Sequence, residues 1–436
     1  MQNRVFSQQL INQVVDELKI TNLEKATIGE VLLIASRLEQ LTGIPFIRMD
    51  QGVPGLKPCQ IGLDAEKQAL DKNVAAMYPA AEGIPVLKSE AARFVKAFLD
   101  VDISPVSCIP VTGSVAGSFS SFIICNQIDT KKDTVLFIDP GFPIQKSQLK
   151  VLGIKYEEFD VHDFRGEALK EKLENYLQKG NISSIVYSNP NNPAWICLTD
   201  SELQIIGELA TKYDVIILED LAYFGMDFRT DFGHPFKEPF VPTVARYTDN
   251  YILMLSASKI FSYAGQRAAV VCVSDKLFVR KYEALAERYA GAGIFGPTFV
   301  GAILYMITSG ITHTVQYGYA AMLKAASDGK LNFVEETSEY GKRAKKMKDS
   351  FKKYGFNVVY DKDIDREIAD GFFFTVGYKD MTCAELMREL LYYGISSIAL
   401  STTGSEQQGV RACCSRMSEN LYDILDERLK AFSLDH

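Results

Sequence analysis

Residues Tyr251–Arg267 read YILMLSASKIFSYAGQR. The first five are apolar and uncharged, the short uninterrupted run expected of a strand buried on both faces. The chain then changes character: Ser256, Ser258 and Lys259 come at the strand's carboxyl end, and Arg267 follows after a glycine. In a parallel α/β sheet, ligands gather beyond the carboxyl ends of the strands. Two hydroxyls and an amine stand at such an end, with a guanidinium close behind, among small residues.

Working outward, short apolar runs alternate with amphipathic ones. SCIPVT, TVLFIDP, IKYEEFD, SSIVYSNP, VIILED and AAVVCVS read as strands; SVAGSFSSFIICNQI, IQKSQLKVLG, GEALKEKLENYLQKG and SELQIIGELATKYD read as helices. The pattern predicts an α/β fold, a mostly parallel sheet sandwiched by helices. After residue 300 a long, heavily charged helical stretch leads to short strand-like runs (FNVVYD, GFFFTVGY, SSIAL, GVRACC) and a last helix, LYDILDERLKAF, which predicts a smaller α+β domain. Residues 8 to 43 form two helical pieces stopped at Gly43-Ile44-Pro45. The expected division is a large cofactor-binding domain over 51–310 and a small domain built from 1–50 and 311–436.

Composition excludes several classes. The 436 residues carry a net charge of -8, with Lys and Arg interleaved among Asp and Glu, so neither nucleic acid nor an anionic membrane is an expected partner. No run of 18 apolar residues and no signal-like start occur, so a cytoplasmic location is expected. The eight cysteines lack CxxC spacing and read as reduced core residues; Cys413-Cys414 reads as a strand with two small side chains on opposite faces. The four histidines are solitary, and no metal site is expected. GAGIFG (Gly291–Gly296) has the spacing of a dinucleotide fingerprint, but it follows a helical pattern instead of a strand and is read as accidental.

The remaining polar residues at predicted strand ends are Thr112, Gly113 and Ser114 after SCIPV, Asn189 and Asn192 in SNPNNP, and Asp220 and Tyr223 in LEDLAY. Each has an ordinary reading alone: Lys259 a solvated loop lysine, Asp220 a helix cap, Phe142 a core ring, Tyr78 a surface tyrosine, Arg411 a salt-bridge partner, and Gly52, Gly113 and Asn192 turn residues.

Together, and in this order, they resemble the fold-type I, pyridoxal-phosphate-dependent aminotransferases of class I/II, from about residue 45 to the C-terminus. The resemblance implies that Lys259 forms the Schiff base with pyridoxal 5'-phosphate. Ser256, Ser258 and Arg267 would hold the phosphate together with Gly113, Ser114 and Val115 of VTGSVAG. It makes Phe142 of DPGFP the ring that stacks on the cofactor, Asp220 the acid on the pyridine nitrogen, Tyr223 a donor to the ring oxygen, and Asn192 an amide near that oxygen and the substrate carboxylate. It also implies that Arg411 in GVRACCS grips the substrate carboxylate and that Gly52 in DQGVPG lies over the substrate. Tyr78 in MYPAAEGIP would reach the phosphate bound by a second copy, so a homodimer is implied.

The activity so implied is transfer of an amino group between an L-amino acid and a 2-oxo acid by a ping-pong aldimine/ketimine mechanism, with Lys259, Asp220 and Tyr223 catalytic. A β-lyase or decarboxylase on the same fold is the alternative, since the outcome depends on which Cα bond stands perpendicular to the ring. A ligand-sensing regulator would need a DNA-binding module, and the N-terminal segment is short and not basic. Two departures stand out. Ala194-Trp195 replaces the family's usual Thr-Gly after NPxNP, and Lys88 replaces an arginine after GIPxL. Arg48 and Arg229 are cations that nothing in the sequence places.

Overall fold

The computed structural model describes residues 3–23 and 26–436. The chain divides into two compact units. The larger consists of Leu56–Asn191 and Cys197–Thr337; the smaller takes the described residues up to Gly55, the short segment Asn192–Ile196, and Ser338–His436.

The larger unit is built on seven strands: β1 (Cys108–Val111), β2 (Thr134–Asp139), β3 (Lys155–Asp160), β4 (Ile182–Ser188), β5 (Ile216–Leu221), β6 (Tyr251–Ser256) and β7 (Ala269–Val273). Their order across the sheet is β1-β7-β6-β5-β4-β2-β3. From β6 to β3 all neighbours are parallel, and β7 alone runs opposite to the strands on both its sides. The connection from β6 to β7 contains only a one-turn helix, Ala257–Ile260, and a short turn, Ala264–Gln266. Parallel neighbours need a longer crossover, so the chain turns back. Strands β2, β5, β6 and β7 are buried along their whole length, which is why they read as continuous apolar runs.

The expected break at residue 310 falls instead at Thr337. The long helical stretch is interrupted at Ser309-Gly310 and at Gly329, all with left-handed backbone. The helix between them, His313–Ser327, buries Val315, Tyr319, Met322 and Leu323 against the helices Gln60–Asp71 and Pro85–Leu99. Its apolar stripe is satisfied in the larger unit, and that fixes its membership.

In the smaller unit, β8 (Asn357–Val358), β9 (Phe373–Gly377), β10 (Ile398–Ala399) and β11 (Val410–Cys413) form an antiparallel sheet in the order β10-β11-β9-β8. Ile47–Arg48 pairs in parallel with Ile395–Ser396. The helices Gln8–Glu17 and Ile28–Thr42 belong to this unit. The second opens with a reciprocal Thr27/Glu30 capping box and ends at Gly43 in the left-handed conformation, the stop legible in the sequence.

All eight cysteines are free and buried. Among the described residues no three His, Cys, Asp or Glu side chains gather as a metal would require, and no helix is long and apolar enough to cross a membrane.

Candidate active site

Strand register assembles the rim of the large sheet. Val111 stands opposite Ala269, and Ala269 opposite Ser256, so the ends of β1 and β6 flank the start of β7 in one row. Because β7 runs the other way, the chain enters it at the rim that its neighbours leave. Arg267, two residues before β7, therefore arrives beside Gly113, two residues after β1. The approach is close: a Cβ built on Gly113 would stand 3.0 Å from the Cζ of Arg267 and collide with Nη2, and Gly113 has φ +77°. Only glycine tolerates both the left-handed backbone and that neighbour. Gly113 begins the helix Gly113–Cys125, whose first backbone N–H groups have no partners within the helix. The hydroxyl of Ser114, in the first turn, is buried without a hydrogen-bond partner. A guanidinium, a helix N-terminus and an orphaned hydroxyl in one place fit a phosphate.

Lys259 lies on the one-turn helix directly after β6. Ser256 caps that turn, its hydroxyl accepting from the backbone N–H of Ser258 at 3.2 Å. The serine at the strand end thus aims the segment that bears the lysine. Ser258 is buried, and Arg267 also donates from Nη1 to the carbonyl of Ala264 at 2.9 Å, which closes the turn between them.

Asp220 is the penultimate residue of β5, paired with Met254 of β6 and Ser188 of β4, so it sits in the middle of the parallel sheet at the same rim. Its carboxyl is buried; burial pushes its pKa up to about 6, against the lowering effect of two donors. These are the backbone N–H of Ala222 on Oδ1 and Nε2 of Gln145 on Oδ2, each at 3.1 Å. A buried carboxylate at this position is stabilised by a cation brought to it. Its neighbour Glu219 points to the opposite face, where it accepts from Thr243, Tyr187 and the backbone of Val244, and burial pushes it up to about 7. Tyr223 follows in the turn after β5 and is buried. Phe142 is half-buried at the start of the helix Pro143–Leu152, whose first turn also carries Gln145.

Gln145 was not singled out from the sequence. The available signal was its place in the first helical turn after Phe142, but nothing local says that this amide turns toward Asp220.

The smaller unit gathers a second set. Arg411 on β11 is only 2% exposed. Its Nη2 donates to the carbonyl of Asp50 at 2.6 Å and its Nη1 to Oδ1 of Asn192 at 3.3 Å. Its Cζ lies 4.6 Å from the centroid of the Phe373 ring. Gly52 lies two residues beyond Asp50 in the same segment. Arg48 is spent on structure: Nε and Nη2 grip the buried carboxylate of Asp50 at 3.0 and 2.9 Å, and Nη1 reaches Glu39 at 3.3 Å. Arg229, in the larger unit, forms the same fork with Asp227 at 2.8 and 2.7 Å. Lys88 is buried, donating to the carbonyls of Glu82, Val106 and Cys108, and burial lowers its pKa. Tyr78, by contrast, is 92% exposed.

The sequence profile of the Aminotransferase class I and II family matches residues 44–429. An aspartate aminotransferase of Sulfolobus acidocaldarius is 24% identical over 259 residues, a match covering 59% of this chain and 62% of that protein. A glutamate-pyruvate aminotransferase of Escherichia coli is 27% identical over 230 residues, covering 52% and 53%. The chain thus spans about three-fifths or less of the length of these curated relatives. Among solved structures, an aminotransferase from Mycobacterium tuberculosis superposes with a TM-score of 0.73 at 16% identity, covering 93% of this chain and 95% of that one. The aspartate aminotransferase of Thermus thermophilus with maleate gives 0.71 at 17% identity, covering 94% and 96%. With the profile running through nearly the whole chain, the protein belongs to the class I and II aminotransferases.

Proposed function

We propose that this chain is a pyridoxal-phosphate-dependent aminotransferase that moves an amino group between an L-amino acid and a 2-oxo acid in two successive half-reactions. The observation that carries this reading is the cradle at Gly113, Ser114 and Arg267 on the same sheet rim as Lys259 and the buried carboxyl of Asp220.

Bound there, pyridoxal phosphate supplies an aldehyde for the amine and a ring that withdraws electrons from the substrate Cα. Gly113, Ser114, Val115, Ser256, Ser258 and Arg267 would hold its phosphate. Phe142 would pack on its ring, Asp220 would keep its nitrogen protonated, and Tyr223 and Asn192 would donate to its oxygen. Lys259 would tether that group through its Nζ and, as a free amine, would take up and give back the substrate Cα proton. Arg411 binds the substrate α-carboxylate through its planar fork, and Gly52 leaves room above the substrate.

Tyr78, exposed in the single chain, reaches the phosphate bound by a second copy in a homodimer. Eight free, buried cysteines suit a reducing, cytoplasmic compartment.

Borohydride reduction followed by peptide mass analysis tests the covalent assignment: the cofactor mass is expected on Lys259 and absent in Lys259→Ala. With an L-amino acid and no acceptor, one equivalent of 2-oxo acid per chain is expected. Continuous release of pyruvate and ammonia, or of carbon dioxide, would establish a β-lyase or a decarboxylase instead.

A further inference from the structure

Trp195, the only tryptophan in the sequence, is fully buried and has φ +65°. A bulky residue seldom adopts that conformation, so its surroundings must hold it there. They are shaped for it. A Cβ built on Gly371 would collide with the indole atoms Nε1, Cε2 and Cζ2, so the glycine vacates the space that the indole fills. The indole meets Phe373 edge to face, with ring centroids 6.2 Å apart at 66°. Phe373 in turn lies against the guanidinium of Arg411. Register explains the contact: Thr375 faces Arg411 across β9 and β11, so Phe373, two residues along, shares its face of the sheet. On the other side, Asn192, three residues before Trp195 in the same short segment, accepts from Nη1 of Arg411. The face and one edge of a single guanidinium therefore rest on residues that the indole anchors.

We propose that Trp195 is the positioning residue for Arg411. Seated against Gly371, it fixes Phe373 and the Asn192 segment, and these fix the plane in which Arg411 presents its fork to a carboxylate. Bidentate recognition depends on that plane, because a rotated guanidinium offers one hydrogen bond instead of two. The inference rests on the reading that Arg411 binds the substrate carboxylate.

The test is the dissociation constant of maleate, an unreactive dicarboxylate, for the full-length holoenzyme by calorimetry. Trp195→Ala and Phe373→Leu are each expected to weaken binding at least tenfold, and Trp195→Phe, which keeps an aromatic edge, to restore it to within threefold. KM for the amino donor should follow the dissociation constant, with kcat changing less. In the parent protein the emission of its one tryptophan should shift saturably with the same constant. If Arg411→Lys weakens maleate while Phe373→Leu and Trp195→Ala bind it unchanged, the positioning role is overturned and the reading of Arg411 stands. Unchanged binding in Arg411→Lys overturns both. Phe373→Leu keeps a bulky apolar side chain, so it decides the matter if Trp195→Ala does not fold.

Discussion

Gln145 donates from Nε2 to Oδ2 of Asp220 over 3.1 Å, and both side chains are buried. The amide is one of two donors that hold this carboxyl down against the upward push of burial.

Replacing it with leucine removes that donor, so the carboxyl of Asp220 rises further above about 6 and takes up a proton at higher pH. A hydrogen bond to a charged group is worth about 1.5 to 3 kcal/mol, so Gln145→Leu should weaken pyridoxal phosphate roughly tenfold or more near pH 6.5. The loss should shrink as pH rises toward 8.5, where the carboxyl is ionised in both proteins. Titrating the cofactor by absorbance at several pH values measures this, and superimposable profiles would refute the role of Gln145.

Asp220 should also cost the cofactor-free chain stability. Its folded pKa of about 6 lies above the ordinary value of 3.8, so the folded chain holds the proton more tightly than the unfolded one. That contribution is complete below pH 4 and is lost as pH rises through 6. Asp220→Asn, which cannot ionise, is expected to be more stable than the parent at pH 7.5 by up to ~3 kcal/mol, with the difference vanishing near pH 4. Denaturant unfolding of the two cofactor-free proteins at both pH values reads it directly. A parent as stable as the variant at pH 7.5 would contradict the burial argument.

At Gly113 the backbone and a neighbour combine. Alanine there meets the Arg267 guanidinium and a φ of +77°, which should cost about 1 to 2 kcal/mol of stability from the backbone alone. Displacement of Arg267 should weaken pyridoxal phosphate at least tenfold while leaving pyridoxal, which lacks the phosphate, within about threefold, since one 1.4 kcal/mol contact is a tenfold change. Equal weakening of both compounds would show that the cradle does not read the phosphate.

Arg48 offers a contrast. Its fork on the buried carboxylate of Asp50 means that Arg48→Ala leaves a buried charge unpaired, at a cost of about 3 to 5 kcal/mol. The preference between dicarboxylic and monocarboxylic amino donors should stay unchanged in whatever fraction folds. A switch in that preference would give Arg48 a role in substrate choice that its partners do not suggest.

Much of this molecule is written locally. The continuous apolar runs of β2, β5, β6 and β7 announced buried strands, and Gly43 marked the end of a helix. The residues proposed to carry the chemistry stand next to those signals: Lys259 one helical turn past β6, Asp220 at the end of β5, Gly113 just past β1. Periodicity and strand ends depend on a few adjacent residues, so they survive in one dimension.

Other features exist only once distant segments pack. The helix His313–Ser327 carries an apolar stripe that could serve either unit, and only its docking on Gln60–Asp71 and Pro85–Leu99 assigns it to the larger. Gln145 is one polar residue in a helix until the sheet turns it toward Asp220. Arg48 is an unplaced cation until Asp50 and Glu39 surround it, and Trp195 is an anomaly until Gly371 opens a space for its ring. Chain order determined the fold class and put Lys259, Asp220 and Gly113 at strand ends. Their pairings, orientations and proton affinities were decided by tertiary contact, because burial and short-range hydrogen bonds act between residues far apart in sequence.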